Sequence, residues 1–288
     1  MTRIITALAD ISADYDVLFC DLWGCLHNGQ RPYPAAVAAL EAFRAEGGKV
    51  VLMTNAPRPA PYVEAQLDLM GVPRGAWDVI ASSGDAAQEA MYRGDIPGPV
   101  WHCGPEKDLG FFDPPVDGGP APEIERVAPE EAASIVCTGL FDDRTEGPED
   151  YRARLEPLAA KGAPLLCANP DIVVDVGEQR IYCAGAIAEF YESLGGRSLY
   201  YGKPHAPIYD LAKRRLGLDD RARILAIGDG IHTDVAGAKA QGIDAIFVTG
   251  GLAASQFGDD VENPDPARLE AWLDGQNLAP RFAIGRLR

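Results

Sequence analysis

Apolar runs that end on polar residues recur along the chain, and they predict a parallel α/β fold. The first run, Val17 to Cys20, is followed directly by Asp21 and a short turn that contains glycine. A second run, Lys49 to Met53, ends on Thr54 and Asn55. Continuous apolar runs of roughly four to eight residues between turn signals are typical of buried parallel strands. The pattern therefore predicts strands whose carboxyl ends carry polar side chains.

Segments with helical spacing alternate with these strands. From Pro34 to Glu46 apolar residues recur at helical spacing, and Gly47-Gly48 follow as a stop signal. The same pattern predicts further helices at 59–70, 184–194, 205–216 and 231–241, and further strands at 78–82, 199–204, 223–230 and 244–249. Strands and helices that alternate in this way predict a doubly wound, Rossmann-like parallel sheet of the α/β class.

The chain between Gly84 and Ala186 differs in composition. Proline and glycine cluster at 94–99 and 113–120, and short predicted strands alternate with a predicted helix near 148–161. We interpret this block as a smaller α/β domain inserted into the first, and we call it the cap. The predicted domains are residues 1–83 for the first part of the core, 84–186 for the cap and 187–288 for the second part of the core.

Composition limits the partners and the compartment. Of the 288 residues 47% are apolar, and no apolar run approaches the roughly 20 residues that a membrane span needs. The first ten residues match a signal peptide poorly, so we expect a cytoplasmic protein that does not enter a membrane. The net charge of -17 disfavours nucleic acid and anionic membranes as partners. An anionic substrate would need a local cationic group.

The cysteines predict neither a zinc site nor a disulfide framework. No Cys-x-x-Cys pair occurs, and most of the six cysteines lie inside apolar runs, which is typical of reduced, buried thiols. Cys20 and Cys25 flank Asp21, but no base lies near either in the sequence. A catalytic thiol is therefore the weaker interpretation of this stretch.

Four predicted strand ends carry polar residues that suit a metal and a phosphate. They are Asp21, Thr54 with Asn55, Lys203, and Asp229 with Asp234. Carboxyl ends of parallel strands meet at one edge of a sheet, so these side chains are expected in one pocket. Clustered carboxylates repel one another unless a cation is present, and Mg²⁺ prefers oxygen ligands. A threonine hydroxyl can donate to phosphate, and a lysine adds the local positive charge.

With these motifs the chain resembles the haloacid dehalogenase superfamily of Mg²⁺-dependent phosphohydrolases. The matching motifs are Asp-x-x-Gly at Asp21, Thr-Asn at Thr54, Lys-Pro at Lys203 and Gly-Asp-x-x-x-x-Asp from Gly228 to Asp234. The resemblance implies that Asp21 is the nucleophile, that Thr54 binds the phosphate and that Lys203 is the family's lysine. It also implies the metal ligands, which are Asp21, the backbone carbonyl of Trp23, Asp229 and Asp234.

The position of the insertion refines the resemblance. Only 33 positions separate Asp21 from Thr54, whereas 149 separate Thr54 from Lys203, so the cap lies in the second interval. This arrangement is similar to subclass IIA, which includes 4-nitrophenylphosphatases and sugar or nucleotide monophosphatases. A cap of this kind selects the substrate and excludes water. The expected substrate-binding residues are Trp23, Gly24, Asn55, Arg144, Asn169 and Asp171.

The chain departs from the family at Trp23, which stands where a second aspartate normally acts as acid and base. An indole does not exchange a proton at neutral pH, and such catalysis is typically worth about 10² to 10⁴ in rate. His27 is the nearest replacement by sequence, with His205 and His232 as others, although a histidine in such a loop often only holds its conformation. Trp23 itself either fills core space or stacks on a substrate ring.

The sequence therefore predicts a phosphohydrolase that uses Mg²⁺, acts on a small phosphorylated metabolite and forms an aspartyl-phosphate on Asp21. One alternative, which Trp23 favours, is a weak or silent regulatory protein that binds metal and phosphate. Another is phosphoryl transfer from a substrate with a good leaving group. A receiver-type domain would need no cap, and a dehalogenase would need neither Mg²⁺ nor the Asp229 and Asp234 pair. The oligomeric state stays open, with a homodimer as one option.

Overall fold

The structure is a computed structural model that describes residues 2–115, 117, 121–176 and 179–288. Part of the proline and glycine cluster predicted at 113–120 lies outside the described residues, as do 177–178 of the predicted cap. No helix among the described residues combines the length and the apolar character that crossing a bilayer requires.

Strands and helices alternate along most of the chain. The strands are β1 (Arg3–Ile4), β2 (Val17–Asp21), β3 (Lys49–Thr54), β4 (Val79–Ser82), β5 (Val100–Cys103), β6 (Ser134–Cys137), β7 (Pro164–Cys167), β8 (Val173–Val176), β9 (Gln179–Tyr182), β10 (Arg197–Tyr200), β11 (Ile224–Gly228), β12 (Asp244–Val248) and β13 (Phe282–Ile284). The helices are α1 (Pro34–Ala45), α2 (Ala60–Leu69), α3 (Ser83–Arg93), α4 (Arg152–Ala160), α5 (Ala184–Ser193), α6 (Ala206–Leu216), α7 (Ala236–Ala240) and α8 (Pro266–Gln276). A π-helical turn, Ile231–Val235, precedes α7.

The chain forms two compact units. Unit 1 comprises Met1–Thr54, Ala65–Ala81 and Tyr209–Arg288, and unit 2 comprises Asn55–Glu64 and Ser82–Ile208. The boundaries between these two units differ from the predicted domain boundaries, which lie between residues 83 and 84 and between residues 186 and 187. The assignment of the core and cap domains stays a prediction.

Unit 1 is built on a seven-stranded sheet in the order β1-β13-β12-β11-β2-β3-β4. The neighbouring strands from β1 through β3 in this order pair in parallel. All five residues of β2 are buried, which explains why its sequence is a continuous apolar run rather than an alternating pattern. The predicted doubly wound parallel sheet is confirmed. Its strand order reverses between β11 and β2, and ligands of such sheets bind outside the carboxyl ends at this point.

Unit 2 contains a smaller parallel sheet in the order β10-β7-β6-β5 and an antiparallel hairpin of β8 and β9. Helix α5 packs on this sheet through Ile187 and Tyr191, which share one buried cluster with Cys137 and Leu165. The strand before Lys203 was predicted at the edge of the same sheet as Asp21, and this prediction is wrong. Because β10 pairs in register with β7, it belongs to the four-stranded sheet.

Candidate active site

Two buried carboxylates lie at the carboxyl ends of adjacent strands of unit 1. Asp21 is the last residue of β2, and Asp229 directly follows β11, which pairs with β2 in parallel. One ligand atom of each of these residues and the thiol of Cys25 all lie within 4.8 Å of one another. Asp21 and Asp229 are only 7% and 5% exposed. Two buried carboxylates at this spacing make a place where a cation would be strongly stabilised.

Two glycines allow the backbone to approach Asp229 closely. A Cβ on Gly24, whose φ is +73°, would lie 2.1 Å from Oδ2 of Asp229, and a Cβ on Gly251 would lie 1.9 Å from the same oxygen. The backbone N–H of Leu252 donates to this oxygen over 2.9 Å. The loops after β2 and β12 therefore fix the orientation of the Asp229 carboxylate.

Asp234 holds the loop that carries Asp229. Its Oδ2 accepts the backbone N–H of Gly230 over 3.1 Å, and a Cβ on Gly228 would lie 2.0 Å from its Cγ. Asp234 is buried, but it is not a member of the group formed by Asp21, Cys25 and Asp229. Its predicted role as a metal ligand stays a prediction, and the observed contacts order the turn between β11 and α7.

The donor set of this group fits magnesium through its oxygens. Carboxylates are the protein ligands that Mg²⁺ prefers, whereas a thiol is a soft donor that suits other metals. Burial, together with the carboxylates of Asp229 and Asp21, raises the pKa of the Cys25 thiol well above its usual value. Cys25 is therefore a neutral thiol beside the carboxylates, which also weakens the interpretation of this cysteine as a nucleophile.

The loop after β2 is organised by Trp23 and His27. Their rings meet edge to face with centroids 5.3 Å apart. Gly29, at a φ of +83°, lies directly against the indole, since a Cβ there would be 2.2 Å from it. The backbone carbonyl of His27 also accepts the N–H of Gly24 over 3.0 Å. Trp23, which is half-buried, therefore packs against its own loop, and its predicted contact with a substrate stays a prediction.

His27 is held as a neutral imidazole. It is 1% exposed, and burial lowers its pKa to about 4. Its Nδ1 accepts the backbone N–H of Gly29 over 3.0 Å, so the ring proton resides on Nε2. These observations favour a histidine that maintains the loop over the predicted acid and base. His205, another histidine considered from sequence, lies in unit 2 and stacks on Tyr200.

Thr54 is the last residue of β3 and is 2% exposed. Because Asp21 and Met53 are partners in the pairing of β2 with β3, Thr54 lies one residue beyond the register position of the predicted nucleophile. The carboxyl ends of β11, β2 and β3 therefore bring Asp229, Asp21 and Thr54 to one edge of the sheet, as the sequence predicts.

The remaining predicted residues lie in unit 2. The side chain of Asn55 bonds the backbone of Lys203 and the carboxylate of Asp171. Oδ1 of Asn169 accepts the backbone N–H of Asp171 over 3.0 Å. Arg144 is exposed and belongs to a polar turn in which its N–H donates to Asp142. Substrate contacts of these residues stay predictions.

Sequence reasoning missed the contribution of the loop after β12. Gly251 and Leu252 lie against Asp229, yet the motifs that matched the family do not include them. The signal was present in the Gly250-Gly251 pair that follows the predicted strand 244–249. A glycine pair after a strand indicates close backbone approach, although the sequence does not say to which residue.

The chain matches two family models and several known proteins. The model of haloacid dehalogenase-like hydrolases matches residues 18–113, and a second model, HAD-hydrolase-like, matches residues 200–269. A haloacid dehalogenase-like hydrolase from Brucella suis is 41% identical, has a TM-score of 0.84 and aligns over 99% of this chain and 100% of its own.

Two other relatives carry more specific names. D-glycerol 3-phosphate phosphatase of Mycobacterium tuberculosis is 26% identical over 92% of this chain and 71% of its own length. A glycerol phosphate phosphatase from the same organism, solved in complex with magnesium, is 23% identical, has a TM-score of 0.67 and aligns over 95% of this chain and 76% of its own.

Proposed function

This chain belongs to the haloacid dehalogenase-like hydrolase family, and we propose that it is a Mg²⁺-dependent phosphatase that hydrolyses a small phosphate monoester. The observation that supports this most is the pair of buried carboxylates, Asp21 and Asp229, whose ligand atoms lie within 4.8 Å. The names of two relatives agree with this chemistry: a D-glycerol 3-phosphate phosphatase at 26% identity, and a glycerol phosphate phosphatase at 23% identity that was solved in complex with magnesium.

Asp21 and Asp229 would hold the metal, with the Trp23 carbonyl and Asp234 completing the proposed set. Bound there, Mg²⁺ supplies the positive charge that neutralises the phosphoryl group. The hydroxyl of Thr54 donates to a phosphoryl oxygen, and Lys203 adds a second positive charge. These groups stabilise the negative charge that the transferring phosphoryl group carries.

Asp21 is the proposed nucleophile. One of its carboxylate oxygens attacks phosphorus in line, the bond from phosphorus to the ester oxygen breaks, and an aspartyl-phosphate forms on Asp21. The leaving oxygen takes its proton from water. A second water then attacks phosphorus, which releases inorganic phosphate and restores the Asp21 carboxylate.

Trp23 shapes the choice of substrate, because the position that usually supplies an acid carries an indole. His27 does not replace that acid, since its lowered pKa of about 4 leaves it neutral near pH 7. The leaving oxygen therefore departs without a protein proton donor, which favours esters with stable leaving groups. The same observation supports a second candidate, phosphoryl transfer from an acyl phosphate, which faster turnover of acetyl phosphate than of alkyl phosphates would favour.

The test is hydrolysis of a panel of phosphate monoesters by the purified protein with Mg²⁺ and with EDTA. We expect activity that EDTA abolishes, and Asp21→Asn should lower kcat by at least about 10³-fold because the nucleophile is lost. Asp14→Asn is the matched control, since Asp14 is an exposed aspartate of the same unit. Retained hydrolysis in Asp21→Asn, or a wild-type protein that binds Mg²⁺ and vanadate without turnover, would overturn the proposal.

A further inference from the structure

The side chain of Asn55 joins three segments of unit 2 that are far apart in sequence. Its Nδ2 donates to Oδ1 of Asp171 over 2.8 Å and to the backbone carbonyl of Lys203 over 3.1 Å. Its Oδ1 accepts the backbone N–H of Lys203 over 2.7 Å. Asn55 and Lys203 are 4% and 3% exposed, so these bonds form in a buried setting.

We propose that Asn55 is a positioning residue that fixes the backbone of Lys203 and thereby the place of its ammonium group at the phosphoryl group. The inference rests on the proposed function, in which Lys203 neutralises the phosphoryl charge. It differs from the expectation that Asn55 binds the substrate itself.

The hydrogen-bonding capacity of Asn55 supports this distinction. The backbone N–H of Lys203 is a donor, so the atom 2.7 Å from it is the carbonyl oxygen of Asn55, and the amide orientation is fixed. The two N–H groups of the amide are then both used, one by Asp171 and one by Lys203. A phosphoryl group accepts hydrogen bonds, and the side chain of Asn55 has no further N–H to donate to it while these contacts hold.

Gly202 allows this contact to form. A Cβ on Gly202 would lie 2.5 Å from Oδ1 of Asn55, 2.6 Å from Oγ of Ser83 and 2.7 Å from Cδ of Pro170. The backbone just before Lys203 is thus enclosed on three sides. Only glycine leaves room for the Lys203 backbone to reach the amide of Asn55.

Hydrogen bonds also fix the backbone of the segment that follows Asn55. The carbonyl of Ala56 accepts the N–H of Gly84 over 3.0 Å, and the N–H of Ala60 donates to Oδ1 of Asp85 over 2.9 Å. Gly84 and Asp85 belong to the first turn of α3, which fixes the segment that begins at Asn55. The amide is therefore presented from a rigid element, as a positioning residue requires.

Lysine needs this support more than most charged residues do. Its ammonium is a point charge on a flexible side chain, and it does not form the two parallel hydrogen bonds with which arginine can bind a phosphate. Precision must then come from the backbone that carries it. Because a displacement of about 1 Å can cost about 10²-fold in rate, Asn55→Ala should lower kcat/KM by about that factor.

A double-mutant cycle separates positioning from direct binding. If Asn55 acts through Lys203, Asn55→Ala should cost less than about threefold in the Lys203→Ala background, although it costs about 10²-fold in the wild type. If Asn55 contacts the substrate independently, the two losses multiply and the inference is overturned. Asn263→Ala is the control, since Asn263 is an exposed asparagine of unit 1.

Hydrogen exchange tests the same contact without any substrate. In Asn55→Ala the backbone amide of Lys203 should exchange at least about tenfold faster, because its acceptor is gone, while amides of β6 keep their protection. Asp171→Ala removes one of the three bonds and should accelerate that amide less. Unchanged exchange in Asn55→Ala would overturn the inference. A third outcome separates this inference from the proposed function. If the wild type has no phosphatase activity but the Lys203 amide still loses protection in Asn55→Ala, the proposed function and the catalytic part of this inference are both overturned. Asn55 is then a structural contact only.

Discussion

Trp23 has two separate consequences at one position. The resemblance to the family implies that it stands where a second aspartate usually acts as acid and base, and its indole packs against Gly29 and His27. The first consequence is chemical and could be predicted from the sequence. The second determines the shape of the loop that follows Asp21, and substitution at this position therefore tests both consequences.

We expect Trp23→Asp to change how the rate depends on the leaving group. A carboxylic acid at this position could protonate a poor leaving oxygen, so kcat/KM should rise for an alkyl phosphate and change little for p-nitrophenyl phosphate. The kcat/KM for p-nitrophenyl phosphate divided by that for the alkyl phosphate should therefore fall by about tenfold or more, which lies within the range typical of general acid catalysis. Trp23→Phe, which offers no proton, is the matched control. An unchanged ratio in Trp23→Asp would mean that proton transfer to the leaving group does not limit the wild-type enzyme.

The sequence predicted which polar residues lie together at one edge of the sheet, but it did not predict their contacts. Asp21, Thr54 and Asp229 could be predicted because each ends an apolar run, and parallel pairing brings such ends to one edge. The state of His27 could not, because its pKa depends on burial and on a bond to the N–H of Gly29. Likewise the sequence shows that Asn55 is polar without showing that its donors are used by Asp171 and Lys203.

At the scale of elements, strands were easier to predict than their partners. The apolar run before Lys203 indicated a strand, yet β10 pairs with β7 in unit 2 rather than joining the sheet of β2. Pairing depends on contacts between residues that are distant in sequence, and a run of apolar residues carries no information about its neighbour. Helix ends were better defined, because Gly47, at a φ of +94°, follows α1 where the sequence predicts a stop.

The loop after β12 provides a prediction at this scale. In Gly251→Ala the added Cβ would lie 1.9 Å from Oδ2 of Asp229, so the carboxylate must move and its bond from the N–H of Leu252 is strained. Groups that orient a metal ligand typically contribute roughly 10- to 100-fold in affinity, and we expect a loss of Mg²⁺ affinity in that range. Isothermal titration with Mg²⁺ measures it.

Gly275→Ala is the control for this experiment. Gly275 lies in α8, and a Cβ there would meet no atom within 4 Å, so alanine should stabilise the helix by about 0.5–1 kcal/mol and leave Mg²⁺ affinity unchanged. Equal Mg²⁺ affinity in Gly251→Ala and the wild type would show that the loop after β12 does not orient Asp229.

At the scale of the molecule, the reactivity of the six cysteines shows whether the two units are folded. All six are buried free thiols, and burial raises the pKa of Cys25, Cys137, Cys167 and Cys183. Because the thiolate is the reactive form, we expect almost no reaction with Ellman's reagent in the native protein and six equivalents in denaturant. A thiol that reacts rapidly in the native protein, and is lost in Cys25→Ser, would contradict the buried neutral state assigned to Cys25.

The stability of the molecule should depend on pH through His27. Burial lowers the pKa of His27 to about 4, whereas an unfolded histidine titrates near its ordinary value of about 6.5. Between these values the unfolded chain binds a proton that the folded chain does not, so the free energy of unfolding falls as the pH falls from about 6.5 towards 4. Neutral His27 makes its full contribution to the free energy of unfolding above about pH 6.5, and this contribution of about 3 kcal/mol is lost as the pH falls to about 4.

His27→Asn isolates this contribution, because asparagine retains an acceptor for the N–H of Gly29 but does not titrate. Between pH 7.5 and 4.5 the wild type should lose about 2–3 kcal/mol more of its free energy of unfolding than the variant, as measured by urea denaturation. His102, whose pKa burial also lowers to about 4, is present in both proteins, so its effect cancels in the comparison. Parallel pH profiles for the two proteins would show that the pKa of His27 is the same in the folded and the unfolded chain, which would reopen its predicted role as an acid and base.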